Sequence, residues 1–268
     1  MKVIFNADDF GLTRGVNNGT VQSHKNGVVN SATLMVGAEE ESHAVSLLSD
    51  YPDLKVGLHL RFTAGEPLTK HVCLRASKRL IGTEAAHGDE EVATPQFPKQ
   101  NEFWSKRDFD SAAVYDEVVA QVERFLSLGI ELSHIDSHHH AHTHPQILPV
   151  VERVANEYQV PLRRVGIPSL EQFGYRYLFT DKFYDEKATL DQLVTHLVSL
   201  KEEYDLVEVM CHPAYVDAHL ESLSSYRHQR AQELNVLTDP RLKQRLHLHG
   251  IEVTDYSEFD SMISKEGV

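Results

Sequence analysis

Short apolar runs alternate with amphipathic helical stretches along the whole chain of 268 residues, and this order allows little but a parallel sheet wrapped in helices. Runs that read as strands fall at 2–5, 28–36, 54–60, 131–136, 160–165, 206–210 and 250–256. Helical spacing predicts helices between them at 14–26, 39–49, 109–128, 147–158, 190–200, 226–234 and 240–249. Thr13 is placed to cap the first helix and Gly27 to stop it. Successive parallel strands need right-handed crossovers, so the expected architecture is a closed or nearly closed β/α barrel of about seven strands. An open doubly wound sheet is the alternative, but no G-x-G-x-x-G follows the first strand. One catalytic domain is expected over 1–268.

Two stretches break the alternation. From about 63 to 106 the prolines Pro67, Pro95 and Pro98 interrupt every period, which reads as an insertion over the barrel rim. From 168 to 186 the chain is aromatic and irregular, with Phe173, Tyr175, Tyr177, Phe179, Phe183 and Tyr184. Those rings either stack on a ligand or pack a rim loop. A net charge of −14 argues against nucleic acid and against an anionic membrane as partners. Two cysteines without a C-x-x-C exclude a disulfide framework and a thiolate zinc site. The start MKVIFNADDFG reaches acidic residues too soon for a signal peptide, and no run is long enough to span a membrane. The expected location is the cytoplasm.

The stretch HIDSHHHAHTHP, 134–145, carries the densest chemistry. His134, Asp136, His138, His140, His142 and His144 fall on every second residue, so on a strand they would share one face. The stretch is expected to leave a buried strand, cross a pocket rim and enter a helix capped at Thr143 or His144, with Pro145 first. In a β/α barrel the active site lies at the C-terminal ends of the strands. The polar residues expected there are Asp8 and Asp9, His59, Asp136 and His138, Arg163 and Arg164, and His212. Two adjacent carboxylates repel unless a cation sits beside them. One Asp with two His offers an oxygen and two nitrogens to a divalent metal and leaves positions open for water. His59 is one such histidine and His138 the second, with His140 and His142 as alternates. His212 leaves its strand toward the rim and suits a general acid. Cys211 beside it faces the other way, so a Cys–His nucleophile pair is excluded. Arg163 either holds Asp8 or binds an anionic ligand group.

The segments NADDFG, GLHL, HIDSHHHAH and EVMCHPA occur in the order seen in the YdjC-like carbohydrate deacetylases, and the chain resembles that family from about residue 2 to 256. The resemblance implies a barrel related to polysaccharide deacetylases, one divalent metal, and removal of acetyl from an N-acetylated amino sugar or short chitooligosaccharide, phosphorylated or not. It implies Asp9, His59 and His138 as ligands, Asp8 as the base and His212 as the acid. It also implies a homodimer. Magnesium or zinc is expected at the site, with manganese or cobalt as alternatives. A metal-dependent phosphoesterase on a similar barrel, or a non-catalytic metal- or sugar-binding module, are the competing readings.

Overall fold

The computed structural model describes residues 1–78, 92–93, 95–164 and 176–259. In chain order its elements begin with β1 (Lys2–Phe10), α1 (Arg14–Asn26), β2 (Ser31–Leu34), α2 (Glu41–Leu48) and β3 (Lys55–Leu60). There follow β4 (Ser77–Lys78), β5 (Val92–Ala93), α3 (Gln100–Ser105), α4 (Ser111–Ser127), β6 (Ile135–Ser137) and α5 (Leu148–Glu157). The rest are β7 (Tyr177–Thr180), α6 (Leu190–Leu200), β8 (Leu206–Cys211), α7 (Ala218–Leu223), α8 (His228–Leu237), α9 (Pro240–Leu248) and β9 (Glu252–Thr254).

Seven of these strands form one parallel sheet in the order β6-β3-β2-β1-β8-β7, with β9 joined to the first residues of β1. Its curvature makes an incompletely closed β/α barrel. Helix faces cover it at the intervals the sequence predicts. On α4, Val114, Val118, Val122 and Phe125 are fully buried, each contributing about 1.5–3 kcal/mol by leaving water. Thr13 caps α1 by accepting from the Val16 amide, and Asp110, Thr189 and Asp239 cap α4, α6 and α9 in the same way. Helix α1 lies so close to the turn after β8 that a Cβ on Gly19 would sit 2.5 Å from Ala214 Cα. Glycine at that position lets the chain around His212 seat against the helix.

Several boundaries differ from the sequence reading. β1 does not stop at residue 5. Asn6, Asp8 and Asp9 continue it, and their exposures of 0, 2 and 1 % show polar groups satisfied inside the barrel, not a loop. The strand expected at 160–165 is reduced to one bridge between Ile135 and Leu162, and Val165 lies outside the described residues. Pro161 has no N–H to donate, so the ladder there holds only the bonds around Ile135. The sheet instead gains β7 from the stretch read as irregular, in which Phe173 and Tyr175 fall outside the described residues. Helix α5 starts at Leu148 with Pro149 in its first turn, so neither Thr143 nor His144 caps it. The region 63–106 contains the antiparallel β4–β5 pair and α3.

Candidate metal centre and active site

The site begins with the end of β1. Its register with β2 slips between Ala7 and Phe10, and Asp9 takes a φ of +67°. A left-handed residue inside a strand costs energy and breaks the alternation of faces. Here it turns Asp9 so that adjacent carboxylates serve two neighbouring places instead of opposite sides of the sheet.

Asp8 faces Arg163. The guanidinium donates through Nη1 to Oδ2 and through Nη2 to Oδ1, both at 2.7 Å, and Asn6 Nδ2 donates to Oδ1 at 2.9 Å. The same arginine donates through Nε to Glu208 at 2.7 Å and lies 2.9 Å from Asp136 Oδ2. Burial pushes the Asp8 carboxyl upward, but the Arg163 guanidinium more than reverses this and holds it well below the usual carboxylate range. Asp8 is therefore an ionised, aimed carboxylate. Of the two roles open to Arg163, the structure shows the first.

Asp9 lies with His59 and His138. The three offer one ligand atom each, all within 4.8 Å of one another. Asp9 Oδ1 is 3.2 Å from His59 Nε2 and 2.8 Å from His138 Nδ1. On its far side His59 donates through Nδ1–H to Asp136 Oδ1 at 2.6 Å, and Thr33 Oγ1 donates to Asp136 Oδ2 at 3.0 Å. A carboxylate behind the imidazole fixes its orientation and leaves Nε2 for a cation. Arg230 on α8 donates through Nη2 to Asp9 Oδ2 at 2.6 Å. Burial disfavours a charged His59 ring, yet Asp136 and Asp9 outweigh it and push its pKa up to about 10. The space between these carboxylates thus favours positive charge, and the donor set fits a divalent ion. Asp8, His59 and Asp136 form a second cluster of the same width, but Arg163 already neutralises it.

His212 completes the group. Its Nε2 is 4.0 Å from Asp8 Oδ2, and its Nδ1, buried without a hydrogen-bond partner, is 3.8 Å from Glu233 Oε1. Glu233 is fully buried and accepts from the His212 amide and the Tyr226 hydroxyl. The imidazole is thus held between a carboxylate of β1 and one of α8. Asp136, expected from the sequence among the polar residues at the strand ends, is committed to His59 and Arg163.

The alternating histidines do not share one face. After Ser137 the chain leaves the strand in a tight turn where His139 and His140 have φ near +55° (55° and 53°). His142 turns inward, accepting from Ser137 Oγ and donating to the Arg163 carbonyl. His144 packs on Phe103 and Phe109, and His134 stacks on Tyr256 with ring centroids 3.5 Å apart. His140 lines the pocket beside Phe179, outside the ligand group. Arg164 pairs with Glu152, away from the site. Sequence reasoning missed Arg230, Glu233 and Tyr226. The available signal was polar residues at positions 230 and 233 in step with Leu234 and Leu237, a buried helical face rather than a solvated one. Above the site opens a cavity of about 970 Å³, lined among others by Asp8, Asp9, His59, His138, His212, Tyr184 and Arg230.

A profile of the YdjC-like protein family matches residues 2–247. The chain belongs to the YdjC-like family. Among its relatives, a carbohydrate deacetylase of Vibrio parahaemolyticus is 55% identical over 268 residues, the full length of both chains. A protein of the same name from Vibrio campbellii is 58% identical over 257 residues, 96% of each chain, and one from Geobacillus stearothermophilus is 39% identical over 264 residues. Among solved structures, an Enterococcus faecalis protein provisionally assigned to cellobiose-phosphate cleavage superposes with a TM-score of 0.80 at 29% identity, covering 96% of this chain and 98% of the other. The Xyl-CE4 domain of a multidomain xylanase from the Trinervitermes trinervoides hindgut metagenome, at 11% identity and a TM-score of 0.50, shares the fold. The YdjC-like chain thus shares its incompletely closed β/α barrel with both of these structures.

Proposed function

We propose that this YdjC-like chain is a metal-dependent hydrolase that removes acetyl from an N-acetylated amino sugar or short chitooligosaccharide. One observation carries the reading: an ionised carboxylate, Asp8, and a rim imidazole, His212, face each other across 4.0 Å beside the ligand group of Asp9, His59 and His138. The names of the Vibrio and Geobacillus relatives support the substrate class.

Asp9, His59 and His138 would hold the ion, and one carboxylate with two imidazoles suits zinc, with magnesium, manganese and cobalt as alternatives. When bound, a divalent ion polarises a carbonyl and acidifies a water. The chain's own residues do the rest. Asp8, kept ionised and oriented by Arg163, takes the proton of the attacking water. Water oxygen bonds to the acetyl carbon, and the C–N bond breaks as His212 Nε2 delivers a proton to the nitrogen. The products are acetate and a free amine. Glu233 orients the imidazole from behind through its contact with the His212 amide. Arg230 holds Asp9 at its outer oxygen. The competing two-metal phosphoesterase needs a second set of free ligands. Asp8 and Asp136 are the candidates for it, and Arg163 occupies both.

The test is an acetate-release screen on N-acetylglucosamine, its phosphate and short chitooligosaccharides, with and without a chelator. Acetate that appears only without the chelator is the expected result. Chelator-resistant release removes the metal from the reading. Phosphate release without acetate replaces it with the phosphoesterase.

A further inference from the structure

The side of the pocket next to His212 carries a feature the reaction does not need. Tyr184 and Tyr226 stack face to face, with centroids 4.1 Å apart and planes 4° apart. Tyr226 is the inner ring and is fixed. Its hydroxyl donates to Glu233 and accepts from the Asp185 amide, and Arg230 lies over it at 5.8 Å. Tyr184 is the outer ring, 41% exposed, and it lines the pocket together with Leu223, which is 54% exposed. One face of Tyr184 is covered by Tyr226, so its exposed area belongs to the other face and the edge. Large apolar side chains left open in a pocket mark a binding surface.

We propose that Tyr184 is the platform for a second sugar ring, the one adjoining the acetylated unit, and that it sets a preference for oligosaccharides over monosaccharides. The proposal rests on the deacetylase reading. A pyranose with equatorial substituents presents a flat face of C–H groups, which suits the electron-rich face of an aromatic ring. Position selects the neighbouring unit over the reacting one. Tyr184 and Tyr226 each lie about 6 Å from His212 (6.0 and 5.8 Å between centroids), at steep angles to it. A ring resting on the outer face of Tyr184 lies one ring's thickness further out along the stack. That is beyond the imidazole that must reach the leaving nitrogen, and within one glycosidic bond of it. The cavity of about 970 Å³ has room for more than one hexose. Because Tyr226 is already held by hydrogen bonds, the platform is ordered before the sugar arrives, and binding costs little further entropy.

The test compares acetate release by metal-loaded wild type, Tyr184→Ala and Tyr184→Phe on N-acetylglucosamine and on its β-1,4 disaccharide. Tyr184→Ala is expected to lower the ratio of kcat/KM for disaccharide over monosaccharide by about 3- to 10-fold, through KM. Tyr184→Phe keeps the ratio, because the ring face and not the hydroxyl makes the contact. An unchanged ratio in Tyr184→Ala, or an equal loss on both sugars, overturns the platform. Wild type that releases acetate from neither sugar ends the deacetylase reading by itself. Calorimetric titration of the disaccharide then decides the platform: weaker binding to Tyr184→Ala than to wild type supports it, and equal or absent binding to both overturns it.

Discussion

Adjacent residues of one chemical type receive different work here because of a single backbone angle. Asp8 meets Arg163, while Asp9, turned by its φ of +67°, meets His59, His138 and Arg230. Asp8→Asn is therefore expected to retain metal and lose about 10² to 10⁴ in rate, the usual worth of a general base. Asp9→Asn should lose metal affinity first. Elemental analysis beside a rate assay checks both, and the opposite pattern would exchange the roles. His212 makes a separate prediction. An amine leaves poorly unless it is protonated as the C–N bond breaks, so His212→Gln should cut amide hydrolysis by about 10² or more and keep metal and fold. Esters with activated leaving groups need no such proton and should suffer far less. Equal losses on amide and activated ester would take His212 out of the acid's role.

At the scale of elements, the histidine-rich turn after β6 couples the site to pH. The Arg163 carbonyl can only accept, so His142 carries its proton on Nε2, and Nδ1 must accept from Ser137 Oγ. Burial, with His140 and the Arg163 guanidinium close by, pushes its pKa down to about 3. The unfolded chain takes up this proton near the ordinary value of about 6.5. Stability from the neutral ring is thus fully present above that value and is lost as pH falls toward the folded one. Calorimetry should show the melting temperature falling between about pH 7 and pH 5, with a shallower slope in His142→Gln; an unchanged slope in the variant would refute the assignment. This turn also shows where sequence reading succeeds. The strands that carry Asp8, Asp9 and His59, and the one that ends just before His212, were legible, because apolar runs ending in polar residues have few other uses in a parallel sheet. His138 was legible as a ligand candidate but not by the stated pattern, since the strand ends at Ser137 and the later imidazoles diverge. β7 was missed because Tyr177–Thr180 sits inside a mixed aromatic and charged stretch with no period of its own. Arg230 and Glu233 were missed for a different reason: their partners, Asp9 and His212, lie far away in sequence, and only the folded barrel brings α8 over them.

Across the molecule, buried carboxylates outnumber buried guanidiniums among the described residues. Asp8, Asp9, Asp136, Glu208 and Glu233 are all within the barrel or against it, and the buried guanidiniums facing them are Arg163 and Arg230. Arg163 joins carboxylates from β1, β6 and β8, so Arg163→Met strands three negative groups and should cost about 3–5 kcal/mol in denaturant stability. Adding Glu208→Gln to that variant should recover part of the loss; no recovery would mean the arginine acts through packing alone. Asp9 has one guanidinium, Arg230, beside it, and together with Asp136 it favours positive charge on the His59 ring. A divalent cation at that place offsets charge that the fold otherwise leaves exposed to its own repulsion, so metal should stabilise the native state and not merely activate it. An ion at about 100 times its dissociation constant contributes about 2.7 kcal/mol. For a chain of this size that raises the melting temperature by about 5 to 10 °C. A net charge of −14 would let any dication help weakly by screening, so the comparison needs monovalent salt at matched ionic strength. The expected signature is a rise with zinc or magnesium that chelator reverses, that survives in Asp8→Asn and that disappears in Asp9→Asn. A rise matched by monovalent salt, or one that survives in Asp9→Asn, would place the effect on the surface and not at this centre.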